Sequence, residues 1–119
     1  MTPKPLTTEL SVAGQISPED IAEIAAQGFR SVICNRPDGE GADQPLYAEV
    51  LKAAELAGLE MRYLPVASGM VSDETVDAFA AALDDLPKPV LAYCRSGTRS
   101  TTLWALSQGR TRPLDEIVG

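Results

Sequence analysis

The chain has 119 residues, 10 Lys and Arg against 17 Asp and Glu, a formal net charge of −7, and no histidine. Its length suits one domain, and 45% hydrophobic with 23% charged residues excludes disordered and disulfide-scaffold proteins. The acidic balance argues against nucleic-acid binding, and the missing histidine excludes Ser-His-Asp and Cys-His catalysis and histidine metal sites.

The predicted elements alternate between strands and helices along the chain. Short apolar runs predict the strands, and apolar residues spaced three and four apart, between capping and stop residues, predict the helices. In chain order these are a strand Leu10–Ala13, a helix between Ser17 and Gly28, a strand Ser31–Cys34, a loop Asn35–Gln44, a helix Pro45–Ala57, a strand Met61–Leu64, a loop Pro65–Val71, a helix capped by Ser72, a strand Val90–Tyr93 and a helix Ser100–Gln108. The alternation predicts a three-layer α/β fold, with helices on a central, mainly parallel sheet of four to five strands.

The last residues carry the pattern of a further helix that begins at Pro113. Because the sequence stops shortly after this start, we expect residues 1–119 to form a single domain whose natural fold continues past Gly119. No apolar run approaches the length of a membrane span, and Met1 to Glu9 have no apolar signal-peptide core. We therefore expect a cytoplasmic protein, with reduced thiols, that binds no membrane, metal or other cofactor.

The chemistry is expected in the loop between the strand Val90–Tyr93 and the helix that follows it. Strand carboxyl ends and helix N-termini meet at one edge of a parallel sheet, so Cys94 would face backbone N–H groups and the positive end of a helix dipole. Arg95 and Arg99 add two positive charges. All three effects favour the thiolate, so we predict Cys94 as nucleophile and Arg99 as the fork that holds an anion.

The other residues of this loop also suit a small anion. Glycine lets the backbone turn tightly, and hydroxyl groups donate hydrogen bonds. We assign anion binding to Arg95, Ser96, Gly97, Thr98 and Ser100. The simpler alternative is an inert, buried cysteine in a strand-to-helix turn that carries two solvated arginines.

The loop Cys94–Ser100 is similar to the active-site loops of two enzyme groups. Cysteine-dependent protein phosphatases separate the cysteine and arginine by five residues, whereas rhodanese-type sulfurtransferases commonly use four, as here. The order of the preceding elements resembles that of dual-specificity phosphatases. The combination resembles best the phosphatase-like domain of beta-lactamase-hydrolase-like proteins, also called DUF442. The segments that carry the resemblance are Ser17–Asp20, Asn35–Glu40, Pro65-Val66 and Cys94–Ser100.

This resemblance implies a protein-tyrosine-phosphatase-like fold and a link to sulfide and persulfide metabolism. Members are sometimes fused to a metal-dependent persulfide dioxygenase domain, which implies a partner of that type. A cysteine at a similar strand in some phosphatases of the resembled group traps the oxidised nucleophile, so Cys34 is a candidate redox partner of Cys94. An inert buried cysteine is the simpler interpretation of Cys34.

Two acidic residues and one arginine near the second strand are candidate accessory residues. Arg36 could reach the pocket rim and attract the anion, or it could pair with Asp38 or Glu40. Asp38 or Glu40 could supply a proton from the far side of the pocket, although an acid beside glycine is commonly a turn residue.

Sulfur transfer and phosphate hydrolysis both begin with a thiolate that attacks an anionic donor. Phosphatases that resemble this framework protonate the leaving alkoxide with an aspartate on the loop before the third helix, and Pro65–Val71 contains no acid. In sulfur transfer the leaving group is sulfite or a thiolate, which departs as an anion and needs no proton. Loop length and the missing acid therefore predict a sulfurtransferase that forms a Cys94 persulfide from a small anionic sulfur donor. The alternative is a phosphatase that forms a Cys94 phosphoenzyme from a phosphate donor, and a third is an anion-binding module without catalysis.

Overall fold

The computed structural model describes the backbone of residues 2–118 and the side chains of residues 2–108. Four strands and four helices alternate after a short N-terminal strand, and a 3₁₀ turn, Pro18–Asp20, leads into the first helix. The elements are β1 (Lys4–Pro5), β2 (Leu10–Ala13), α1 (Ile21–Ala26), β3 (Ser31–Cys34), α2 (Tyr47–Leu56), β4 (Glu60–Tyr63), α3 (Asp73–Asp85), β5 (Val90–Tyr93) and α4 (Thr98–Val118).

The strands form one sheet in the order β1-β2-β5-β3-β4. The pairs β2–β5, β5–β3 and β3–β4 are parallel, and β1 is antiparallel to β2 at the edge. Tyr93, the last residue of β5, is in register with Ala13 and with Cys34. The chain segments that follow β2, β5 and β3 therefore leave the sheet side by side, at the carboxyl ends of these strands.

Helices cover both faces of this sheet, which gives the three predicted layers. On one face α1 and α2 pack over β3 and β5, and on the other α3 and α4 pack over the same strands. The first core includes Ile21, Ile24, Val32, Val50, Ala54, Leu91 and Tyr93, and the second includes Ile33, Val76, Phe79, Ala82, Val90, Ala92 and Leu103. The predicted fold class, a mainly parallel sheet between two helical layers, is confirmed.

The four predicted strands agree with the structure to within one residue at each end. The strand β1 was not predicted, because two residues that include a proline carry no hydrophobic period. The helix α4 begins two residues before the predicted start and runs on through Gly109 and Pro113 to Val118. The predicted end of this helix at Gln108 and the separate helix from Pro113 are therefore wrong. Glycine and proline inside a helix only disfavour it, by about 1 and 3 kcal/mol, and do not forbid it. The expected continuation of the fold past Gly119 lies outside the described residues.

In the part of the chain that the structure describes, no helix has the length and apolar character needed to cross a membrane.

Candidate active site

Cys94 lies directly after the central strand β5, under the loop that leads into α4. The residue is 1% exposed, and its backbone N–H donates to the carbonyl of Ala13 at 3.3 Å. Gly97 adopts a φ of +93°, a conformation that favours glycine, and its N–H donates to the Cys94 Sγ at 3.0 Å. The loop thus curls round the sulfur atom.

The surroundings of Cys94 favour its thiolate. Burial alone would raise the pKa of this thiol, but the pKa lies below its usual 9.0, mainly because the backbone N–H groups of Ser100, Ser96 and Gly97 donate hydrogen bonds to the thiolate. Ser96 and Gly97 belong to the loop, and Ser100 lies in the first turn of α4, where free N–H groups and the helix dipole attract an anion. The site can therefore hold a thiolate without a histidine.

The buried hydroxyl of Ser100 serves the scaffold more than the sulfur. It donates its single hydrogen to the Asn35 Oδ1 at 2.8 Å. The Asn35 Nδ2 in turn donates to the carbonyl of Leu64 at 2.9 Å, and its backbone carbonyl accepts from the N–H of Val66 at 2.9 Å. Asn35 thereby joins the end of β3, the loop after β4 and the start of α4.

The guanidinium of Arg99 is held by two neighbouring segments. Its Nη1 donates to the Glu40 Oε2 at 2.8 Å and to the carbonyl of Val66 at 2.9 Å, and its Nη2 donates to the Glu40 Oε1 at 2.6 Å. These three bonds use three of the five guanidinium hydrogens. The Nε hydrogen and the second Nη2 hydrogen have no protein acceptor among the described residues, and together they form a side-on fork for an anion.

The same carboxylate also pairs with Arg36. The Arg36 Nε donates to the Glu40 Oε1 at 3.1 Å, and the Arg36 Nη1 donates to the Gln15 Oε1 at 3.1 Å. Gln15 closes the chain of contacts, since its N–H donates to the carbonyl of Arg95 at 3.2 Å. Hydrogen bonds from Arg99, followed by those from Arg36, hold the pKa of the Glu40 carboxyl below its usual 4.5. Glu40 is therefore a fixed anion between two cations.

Three residues of this network, Arg36, Glu40 and Arg99, line an open cleft of about 490 Å³. The buried Cys94 is not among the residues that line it and lies beneath the neighbouring loop. The lining of the cleft consists of Arg36, Glu40, Gly41, Ser68, Arg95, Ser96, Thr98 and Arg99. Three arginines against one carboxylate make this a cationic cleft in an acidic protein. Among the described residues, no group of three or more cysteine, aspartate and glutamate side chains is placed to hold a metal ion.

Five of the predicted site residues line this cleft, and the buried Cys94, Gly97 and Ser100 lie in the same loop and helix start without lining it. Cys94, Arg95, Ser96, Gly97, Thr98, Arg99 and Ser100 form the loop and the start of the helix, and Arg36 lines the cleft while it pairs with Glu40. Their roles in catalysis and in anion binding stay predictions.

Two accessory candidates lie elsewhere. Asp38 does not line the cleft: its Oδ1 accepts the N–H of Tyr47, the first residue of α2, at 2.8 Å. The buried Cys34 donates from its Sγ to the carbonyl of Arg36 at 3.3 Å, and burial raises the pKa of this thiol. Both cysteines are free thiols, and a redox role for Cys34 stays a prediction.

Three contributors to this geometry were not predicted as site residues. Asn35 and Gln15 act through contacts distant in sequence, and Val66 contributes only its backbone carbonyl. Only one contact of this network had a signal in the local sequence. Arg36 and Glu40 are four residues apart, a spacing that suits an ion pair in a helix. Here it occurs in a loop.

Solved structures with the same fold include proteins described as candidate phosphatases. One from Neisseria meningitidis is 35% identical, with a TM-score of 0.83, over 95% of this chain and 81% of that chain. A DUF442 protein from Shewanella putrefaciens is 26% identical, with a TM-score of 0.78, over 89% of this chain and 66% of that chain. Tk-PTP, at 20% identity and a TM-score of 0.74, shows the fold alone. The predicted protein-tyrosine-phosphatase-like fold is confirmed.

These similarities support the phosphatase alternative better than the sulfurtransferase that loop length and the missing acid predicted. The framework and the solved relatives are phosphatase-like, and none of these relatives supports sulfur transfer. A shorter loop and an absent acid are local features, which by themselves do not identify the group that the thiolate attacks.

The family is shown by sequence similarity along nearly the whole chain. A beta-lactamase hydrolase-like protein from Agrobacterium fabrum is 35% identical over 103 residues, which are 87% of this chain and 24% of that protein. The chain thus spans about a quarter of the length of the curated relatives it matches. The family model of the beta-lactamase hydrolase-like protein, phosphatase-like domain, matches residues 4–111, and the chain belongs to this family.

Proposed function

We propose that this domain is a cysteine-dependent phosphatase. The Cys94 thiolate attacks the phosphorus of a phosphate monoester, the S–P bond forms, and the P–O bond to the leaving group breaks. Water then attacks the phosphocysteine, the S–P bond breaks with its electron pair returning to sulfur, and inorganic phosphate departs. The proton of the attacking water passes to solvent.

The observation that carries this proposal is the Cys94 Sγ inside a ring of backbone N–H groups. Groups that donate to a thiolate are also placed to donate to the oxygens of a phosphoryl group bonded to it. The lowered pKa of Cys94 raises the fraction of the nucleophilic thiolate above that of an ordinary cysteine at the same pH.

Arg99 supports the same function through the hydrogens it has left. Glu40 and Val66 fix the end of the guanidinium, so the remaining Nε and Nη2 hydrogens face an incoming anion in one orientation. A bidentate fork suits two oxygens of a phosphoryl group, and fixed donors lose little freedom when charge develops there. The cationic cleft attracts the substrate dianion.

The test is turnover of p-nitrophenyl phosphate together with mass spectrometry of the quenched reaction. We expect release of p-nitrophenolate and a trapped adduct of one phosphoryl group on Cys94. Cys94→Ser should lose both signals, whereas Cys34→Ser, the matched control, should keep both. Folded protein that neither turns over this ester nor forms the adduct would contradict the proposal.

Sulfur transfer is the second candidate, and one observation favours it: four residues separate Cys94 from Arg99, the spacing of rhodanese-type loops. In this reaction the Cys94 thiolate attacks the outer sulfur of thiosulfate, an S–S bond forms at Cys94, and sulfite leaves with the electron pair. Incubation with thiosulfate would then add one sulfur atom to Cys94. A sulfur adduct in the absence of a phosphoryl adduct would support this candidate over the phosphatase.

A further inference from the structure

We infer that this site transfers phosphoryl groups without protonating the leaving group, and so selects donors whose leaving group departs as a stable anion. Esters of phenols then react, and esters of alkyl alcohols react poorly. The inference rests on the proposed phosphatase function and concerns the substrate class of that same cleft.

A general acid must lie within hydrogen-bond reach of the leaving oxygen and must carry a proton at the working pH. Glu40 is the only carboxyl among the described residues that line the cleft. The remaining lining residues are three arginines, which do not give up protons in proteins, together with serine, threonine and glycine. Any proton for the leaving oxygen would therefore have to come from Glu40 or from solvent.

Glu40 is unsuited to this task in two ways. Both carboxylate oxygens accept from Arg99, and Oε1 also accepts from Arg36, so the arginines stabilise the ionised form. Its side chain is only 24% exposed, against 12% for Arg99, so the pair is partly shielded from water. A carboxyl held in this way is ionised at neutral pH and has no proton to donate.

The loop after β4 reaches the cleft without bringing an acid. Its residues 65–71 contribute the backbone carbonyl of Val66, which accepts from Arg99, and the exposed Ser68, which lines the cleft. A serine hydroxyl is itself an alcohol, about as weak an acid as the alkyl alcohol that leaves, so it offers no advantage over water as a proton donor. This loop therefore orients the guanidinium of Arg99 but donates no proton to the leaving group.

The chemical consequence is a dependence on the leaving group. When Cys94 forms the S–P bond, the leaving oxygen takes the electron pair of the P–O bond and becomes an anion, which solvent protonates afterwards. A phenol like that of tyrosine has a pKa of about 10, whereas an alkyl alcohol resembles water and has a far higher pKa. Proton donation by a positioned acid is commonly worth about 10²–10⁴-fold in rate, and this site lacks that contribution for its poorest leaving groups.

The experiment measures kcat/KM for a series of substituted phenyl phosphates, which differ in leaving-group pKa and are alike in shape. This ratio reports the steps up to phosphocysteine formation, so slow hydrolysis of the intermediate does not hide the effect. We expect kcat/KM to fall by more than about threefold for each unit of leaving-group pKa, and a shallower slope would overturn the inference.

Glu40→Gln separates a positioning role from a proton-donating one, with circular dichroism as the check on folding. A residue that only positions Arg99 should lower kcat/KM by the same factor for p-nitrophenyl and for phenyl phosphate. If Glu40 were the acid, the loss would be larger for phenyl phosphate, by about tenfold or more, and the inference would be wrong. The wild-type slope tests the inference even if this variant does not fold.

The two proposals fail in distinguishable ways. No turnover and no phosphoryl adduct contradict the phosphatase itself. Turnover with a shallow slope, or with O-phosphoserine hydrolysed within about tenfold of phenyl phosphate, keeps the phosphatase and overturns the selection by leaving group.

Discussion

The carboxylate of Glu40 meets the guanidinium of Arg99 end-on, with an Oε1–Nη2 distance of 2.6 Å and an Oε2–Nη1 distance of 2.8 Å. The two residues are 59 positions apart in the chain, so this contact joins the loop after β3 to the first turn of α4. The side of the guanidinium that faces away from Glu40 is left for a ligand. The same ion pair therefore contributes to the stability of the fold and orients the guanidinium of Arg99 for a ligand.

The first prediction concerns the dependence of stability on pH through Glu40. Its folded-state pKa lies below the usual 4.5, so folding favours the ionised form. The contribution of Glu40 to the free energy of unfolding is complete at pH values above its usual pKa of 4.5, and it is lost as the pH falls through the lower folded-state pKa. Because the pair is partly open to solvent, Glu40→Gln should cost only about 0.5–1 kcal/mol near neutral pH, with the difference from wild type shrinking in acid.

Urea unfolding of both proteins, near neutral pH and at several values below 4.5, measures this difference. Asp85 pairs with Arg62 at the surface, at 3.0 Å, and is 72% exposed, so Asp85→Asn is the matched control and should change stability little. A pH-independent difference for Glu40→Gln would contradict the assigned cause.

The second prediction compares two arginines of the same loop. Arg99→Lys should lower kcat/KM for p-nitrophenyl phosphate by about 10²–10³-fold, because one ammonium cannot both hold Glu40 and offer two parallel hydrogens to the phosphoryl group. Arg95→Lys keeps its charge at the exposed rim of the cleft and should cost less than about tenfold. A loss of less than about tenfold in Arg99→Lys as well would show that charge alone matters and would contradict the role of the guanidinium fork.

The contrast between local and distant contacts explains how much of this site could be predicted. Cys94 and Arg99 lie within six residues of each other, between a recognisable buried strand and a helix start, so local signals were sufficient. Asn35 and Ser100 are 65 positions apart, and their hydrogen bond exists only because β3 and β5 are adjacent in the sheet. The alternation of strands and helices predicts a parallel sheet but leaves the strand order open.

The role of Glu40 in holding Arg99 could not be predicted from the sequence either, for a different reason. An acid after glycine in a loop is usually a turn residue, and the spacing to Arg36 predicts at most one weak ion pair. The second arginine arrives from α4, and the carbonyl of Val66 carries no signal of residue type at all. Side-chain chemistry was predictable here, whereas the partners that orient it were not.

The third prediction concerns Asp38, which the sequence suggested as an accessory acid. Its carboxylate satisfies the N–H of Tyr47 at the start of α2, one of the groups that lack a partner within a helix. Asp38→Ala should cost about 0.5–2 kcal/mol of stability, whereas Asp38→Asn keeps an acceptor and should cost less. Turnover of p-nitrophenyl phosphate by folded protein should survive both changes. A large loss of kcat in both stable variants would place Asp38 in the reaction.

The fourth prediction concerns the ionisation of Cys94. The difference in thiolate ultraviolet absorbance between wild type and Cys94→Ser should titrate with a midpoint below 9.0, because backbone N–H groups stabilise the anion. Ser100→Ala keeps its backbone N–H, and the hydroxyl that it removes donates to Asn35 and is the smallest of the causes that lower the pKa of Cys94, so its midpoint should rise only slightly above that of wild type.

Gly97→Ala should behave differently from Ser100→Ala. An alanine at a φ of +93° is strained by about 1–2 kcal/mol, and relief of this strain moves the N–H away from the Cys94 Sγ. The midpoint should then rise towards 9.0, and turnover near neutral pH should fall with the thiolate fraction. A wild-type midpoint at or above 9.0 would contradict the assigned ionisation. An unchanged midpoint in folded Gly97→Ala would show that other donors hold the thiolate.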